Sequence, residues 1–142
     1  MTAGRFACWL KAGKLDSSLF DDENSFGNFV NDLHKKALYK QISELVERLR
    51  LPRNLDETLQ LARRCRNEIA HEMCLGIQGD IESDQGRKRL VDEISGCTRR
   101  IAEAHLLVLS ITAVLTHEDL PRKDYLDAYS DRAVEWVCST EG

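Results

Sequence analysis

The sequence predicts an all-α protein: an antiparallel bundle of four to five helices in one domain, residues 1–142. Three observations carry this. Apolar residues recur at three- and four-residue spacing along most of the chain, and no stretch alternates convincingly as a strand would. Only two prolines occur in 142 residues, so long helices are allowed. Apolar residues make up 42% and charged residues 31%, enough for a core and a solvated surface in a domain of this length.

The first helix is expected over about Thr2–Lys14, with Phe6, Trp9 and Leu10 as its apolar side and Thr2 as N-cap. The segment "DSSLFDDENS" is rich in turn formers and reads as a loop. A second helix is expected from near Ser25 to about Arg50, ended by Pro52. Its stripe of Phe26, Phe29, Val30, Leu33 and Ala37 hands over to Leu38, Ile42, Leu45, Val46 and Leu49. The third helix, about residues 55–72, opens with "NLDE", where Asn54 as N-cap and Glu57 resemble a capping box. Gly76 and Gly79 interrupt the pattern, and "LGIQGDIES" reads as a loop. A long fourth helix, about residues 84–115, starts near Ser83 or Asp84; Gly96 is its weak point. A last helix, about Arg122–Cys138, carries Tyr125, Tyr129, Ala133, Trp136 and Val137, and Trp9 and Trp136 read as core or interface anchors.

The net charge of −4 argues against a general nucleic-acid coat, so any such contact must come from a local patch. The five cysteines are odd in number and irregularly spaced, with no signal peptide ahead of them, which reads as free thiols in a reducing cytoplasm. Cys65, His71 and Cys74 match no zinc spacing, and Cys65 falls on an apolar face, so no metal site is expected. The run "AHLLVLSITAVL" is far shorter than the ~20 residues that cross a bilayer, so no membrane span is expected. It is apolar on more sides than a bundle helix needs, so part of it, or the border of the third helix, is expected to face a second copy.

One stretch departs from the acidic background: "RRCRNEIAHEMC", Arg63–Cys74. At about 100° per residue, Leu55, Leu59, Leu61, Ala62, Cys65 and Ile69 face one arc, and Arg63, Asn67 and His71 lie on the polar side. Arg64 falls beside His71, and Arg66 sits at the apolar border. The bland explanation is that cations in the last turn favour the negative end of the helix dipole and solvate the surface. The functional explanation is that forked guanidinium donors hold a phosphate while an imidazole moves a proton near neutral pH. That set suits RNA phosphodiester cleavage, where a base takes the 2′-hydroxyl proton and a cation stabilises charge on the phosphoryl oxygens, without metal. Arg66 and His71 are about 140° apart on a straight helix, so two copies across a twofold axis would converge better than one.

At these residues the chain resembles the HEPN superfamily, whose hallmark is an arginine, a gap usually of four to six residues and a histidine, often with a polar residue after the arginine. "RNEIAH" supplies Arg66, Asn67 and His71, and the loop and long helix that follow fit the same pattern. The resemblance covers about Leu55–Leu115 and is weaker over Thr2–Arg50. It implies a helical bundle, usually dimeric, and in many members a metal-independent endoribonuclease of toxin–antitoxin, phage-defence or stress systems. Other members are inactive binding modules. The tyrosine that one subgroup carries two residues after the histidine is Met73 here.

The resulting expectation is a cytoplasmic endoribonuclease. His71 serves as general acid/base and Arg66 holds the phosphate. Asn67 assists by orientation, and Arg63 and Arg64 contribute to RNA binding. Its partners are RNA rather than DNA, a second copy sharing the active-site cleft, and an antitoxin protein; no cofactor is implied. The alternatives are an inactive helical module binding a protein or nucleotide, and a structural protein whose arginines only solvate a helix. "GRKR" (86–89) and "TRR" (98–100) read as a basic rim or, preferably, as solvated faces beside acids. His34, His105 and His117 show no nameable partner, and Ser110 and Thr112 read as packing residues rather than nucleophiles.

Overall fold

The computed structural model describes residues 2–73 and 81–139, and among these residues it contains helices and no strand. Six α-helices form the bundle: α1 (Ala3–Lys11), α2 (Glu23–His34), α3 (Leu38–Arg48), α4 (Arg53–Asn67), α5 (Asp84–Leu115) and α6 (Lys123–Cys138). A 3₁₀ turn (Ser18–Phe20) precedes α2, and a π-helical turn (Glu68–Met73) continues α4. Short connections fold α3 back on α4 and α5 back on α6. Helix α5 is the spine, packing against α1, α4 and α6.

Thr2 is the cap expected of it, and the long helix starts where expected, with Ser83 as its cap. Thr2 Oγ1 accepts from the Arg5 amide at 3.4 Å, and Ser83 Oγ accepts from the Gly86 amide at 3.0 Å. Elsewhere the boundaries move. Helix α2 is capped by Asp22, whose carboxylate accepts from the Asn24 and Ser25 amides at 3.1 and 3.3 Å. These bonds and the Ser25 hydroxyl hold the carboxyl below its usual range.

The expected second helix is two helices. On an unbroken helix its two apolar stripes would point about 150° apart. The break at Lys35–Ala37 separates them: Ile42, Leu45 and Val46 of α3 join the main core, whereas α2 buries no residue and packs on the 3₁₀ turn. Ala37 is extended, with ψ of 147°. The Lys36 carbonyl accepts from Gln41 Nε2 at 2.7 Å, and Lys36 Nζ pairs with both Glu44 carboxylate oxygens at 2.7 Å.

Pro52 does not end α3. That helix stops at Arg48, with Arg50 in the left-handed region (φ 51°). The Leu51 amide donates to the Val46 carbonyl at 2.8 Å and the Arg50 amide to the Glu47 carbonyl at 3.1 Å, a Schellman closure. Helix α5 ends the same way at His117 (φ 58°), with the Glu118 amide donating to the Ala113 carbonyl at 2.8 Å. Pro52 instead occupies the N-cap of α4, so Asn54 lies inside the helix and no side chain caps it. The ring's fixed φ preorganises this start.

The main core joins Phe6 and Leu10 of α1, Val46 of α3 with its C-cap Leu49, Leu55 and Leu59 of α4, Leu106, Leu107 and Ile111 of α5, and Leu126 of α6. Trp9 packs against it and stacks on Phe6 at 5.7 Å. Trp136 does not, being 85% exposed. On α6 it is Leu126 that turns inward, while Tyr125, Trp136 and Val137 face outward. A second, smaller cluster of Cys65, Met73 and Cys97 sits with Ile69, Leu90, Ile94 and Ile101 at the other end of the α4–α5 pair.

No helix among the described residues is long and apolar enough to cross a membrane. Within "AHLLVLSITAVL", Leu106, Leu107, Ser110 and Ile111 are buried, and Val108 and Leu109 are exposed. The loop expected at "LGIQGDIES" lies outside the described residues up to Asp80, as does Cys74.

Candidate functional site

Helix α4 buries Leu55, Leu59, Ala62 and Cys65, as the spacing predicts, and this fixes where its polar residues point. Arg64 and Arg66 are exposed, and Arg63 and Asn67 are half-buried at the edge. Arg66 therefore lies on the solvent side rather than under the apolar border. His71 is exposed on the π turn.

That turn alters the expected geometry. A π segment closes i→i+5 hydrogen bonds, so a residue approaches the one five positions on, whereas an α-helix sets them about 140° apart. The five steps from Arg66 to His71 run from the end of α4 into this segment. Arg66 itself stays on α4, and His71 lies within the π turn. Single π turns in α-helices occur frequently at functional sites.

The arrangement brings some expected residues together and separates others. Arg66 Nη1 donates to Asn67 Oδ1 at 3.4 Å, so Asn67 orients the guanidinium. His71 has no hydrogen-bond partner among the described residues, and Asn67 does not orient it. Arg63 turns away from the motif. Its Nε donates to Gln60 Oε1 at 3.0 Å, and Gln60 Nε2 donates to the Tyr39 carbonyl of α3 at 2.7 Å. This ties Arg63 to the α3–α4 junction. Arg64 joins Leu61, Cys65, Asn67 and Glu68 around a shallow, open depression.

The motif arginines differ from one arginine in each of the other basic stretches. Among the described residues no carboxylate pairs with Arg63, Arg64 or Arg66. Arg87 of "GRKR" pairs with Asp84, and Arg99 of "TRR" pairs with Asp131, as solvated faces beside acids would. Ser110 is fully buried, and its hydroxyl donates to the Leu106 carbonyl at 2.8 Å, which suits packing. His105 has a partner the sequence did not reveal: its Nδ1 lies 2.7 Å from the Tyr129 hydroxyl across the α5–α6 interface.

Sequence reasoning also missed a cluster beneath the motif. Cys65, Glu68 and Cys97 place their ligand atoms within 4.8 Å of one another. The i,i+3 spacing of Cys65 and Glu68 was visible, but Cys97 arrives from α5, and no spacing pattern predicts that. Cys97 Sγ donates to Glu68 Oε2 at 3.7 Å. Burial, then the Cys65 thiol and the Glu68 carboxylate, push the Cys97 thiol up to about 12.

The chain matches no protein-family model, no curated protein and no solved structure, so its site residues are the ground for any functional reading.

Proposed function

We propose that the chain is a metal-independent endoribonuclease of HEPN type, acting in the cytoplasm in a toxin–antitoxin, phage-defence or stress system. The observation that carries this reading is an exposed arginine at the end of α4 followed by an exposed histidine on a π-helical turn, with no carboxylate among the described residues paired to the arginines, in a chain of net charge −4. Arg66, oriented by Asn67, holds the scissile phosphate and stabilises charge on its non-bridging oxygens. His71 takes the 2′-hydroxyl proton, and the imidazole of a second copy protonates the leaving 5′-oxygen. Arg64 binds the flanking backbone of RNA. Arg63, held by Gln60, contributes only to the wider positive field.

The second copy follows from the chemistry, since acid and base must stand on opposite sides of one phosphorus. Exposed Val108 and Leu109 on α5 offer apolar surface for the pairing. An antitoxin protein would act by covering the arginines.

The deciding experiment compares parent and His71→Ala protein on mixed RNA without magnesium. The parent cleaves, while the variant binds RNA equally but does not cleave. Equal cleavage by both would sink the mechanism. One observation favours a second reading: His71 lacks an orienting partner among the described residues. An inactive helical module binding a nucleotide or protein needs only the arginines. It predicts RNA or nucleotide binding by the folded parent with no cleavage of any RNA.

A further inference from the structure

We propose that Cys65, Glu68 and Cys97 form a zinc site that pins the motif end of α4 to α5. Two of the ligands lie one helical turn apart on α4 and the start of the π turn, and the third comes from the facing helix. The ligand atoms lie within 4.8 Å of one another, and Cys97 Sγ is 3.7 Å from Glu68 Oε2. A tetrahedral zinc with bonds of roughly 2.3 Å to sulfur and 2.0 Å to oxygen needs sulfur–sulfur and sulfur–oxygen edges of roughly 3.8 and 3.5 Å. Small rotamer shifts close the set.

Ligand chemistry selects the ion. Two thiolates and one carboxylate suit zinc, whereas magnesium and calcium demand oxygen ligands. Zinc binding releases the two thiol protons to solvent and leaves a complex of charge −1. The depression lined by Arg64, Cys65, Asn67 and Glu68 gives the ion its entry path and leaves the fourth position to water. The ion fixes the π turn that carries His71 where it leaves α4 just after Arg66, and it takes no part in proton transfer. The proposal stands apart from RNA cleavage, and so does its test.

Reduced, chelator-stripped full-length protein is titrated with Co²⁺ and then with Zn²⁺. We expect one Co²⁺ per chain, with a thiolate-to-cobalt charge-transfer band that zinc abolishes by displacement. Cys65→Ser and Cys97→Ser lose the band, and Cys8→Ser and Cys138→Ser keep it. Glu68→Gln alters an exposed residue and preserves the fold by far-UV circular dichroism. It weakens zinc at least about tenfold, since even outer-shell partners of a metal site contribute that much. A folded parent without the band, a band that survives in Cys97→Ser, or unchanged zinc affinity in Glu68→Gln overturns the proposal. So does a chain whose free Cys65 and Cys97 thiols oxidise to a disulfide in preference to taking metal.

Discussion

Helices α4 and α5 meet twice, and the two meetings are built differently. Toward the C-terminal half of α5, Leu55 packs with Leu106 and Leu107 in a core that also takes in Phe6 and Leu49, each less than 2% exposed. Toward its start, the same pair is joined through Cys65 and Cys97, with half-buried Ile69, Leu90, Ile94 and Ile101 around them. Leucine and phenylalanine remove more apolar surface from water than a thiol does, at roughly 25 cal/mol per Å². The first meeting therefore contributes most of the stability. The second carries the exposed Arg66 and His71 and the π turn. Groups that must meet a ligand are drawn from the less stable parts of a fold, and here that part has a thiol–carboxylate cluster where the other end has leucines.

The largest expected effect breaks this contrast if it fails. Leu107→Ala should destabilise the protein by about 2–5 kcal/mol, while Cys97→Ala, removing one small group from the lesser cluster, should cost about 1 kcal/mol. Denaturant unfolding of both variants in chelator measures the difference. Equal losses would mean that the two ends contribute alike.

Next comes Arg66→Ala. On the proposed mechanism it should slow RNA cleavage by about 10²–10³-fold and weaken RNA binding, because it would remove the donor proposed to meet developing phosphoryl charge. The side chain is exposed, so stability should change by no more than about 0.5 kcal/mol. Single-turnover cleavage alongside a melting curve checks both halves. A large fall in melting temperature would assign Arg66 to the fold.

Gly96→Ala sharpens the comparison from the other side. A Cβ at Gly96 meets nothing within 4 Å. The change should stabilise α5 next to Cys97 by about 0.5–1 kcal/mol, by lowering the entropy of the unfolded chain and favouring the helix. Hydrogen exchange should slow around residues 90–100 more than around 104–111, because the leucine end already opens only with the whole domain.

The smallest effect is at a helix end remote from the site. His117 holds a left-handed conformation at φ 58° to close α5. His117→Gly relieves strain of about 1–2 kcal/mol, most of it offset by the greater freedom of glycine in the unfolded chain, leaving a net gain of about half a kcal/mol. Differential scanning calorimetry resolves this sign, and a loss would mean that the imidazole makes contacts that outweigh the strain.

Local features were legible because their causes are local. The cap at Thr2, the helix start near Ser83, the buried Leu55–Leu59–Ala62–Cys65 face and the solvent side of Arg64 and His71 follow from spacing and side-chain chemistry within a few residues. Those residues alone determine an all-α chain with a cationic patch on its third amphipathic stretch. The break at Lys35–Ala37 was half visible as a change of stripe, but which residue yields depended on the Lys36–Glu44 pair and the Gln41 bond across the turn. Tertiary packing decided the rest. Arg50 and His117 close helices without glycine, since the contacts of a whole bundle can hold one strained residue. Leu126 points into the core from α6, while Trp136 and Val137 near its end are exposed. Cys97 meets Cys65 and Glu68 because α5 folds back along α4, and an encounter between residues so far apart in the chain exists only once the leucine core has set the two helices side by side.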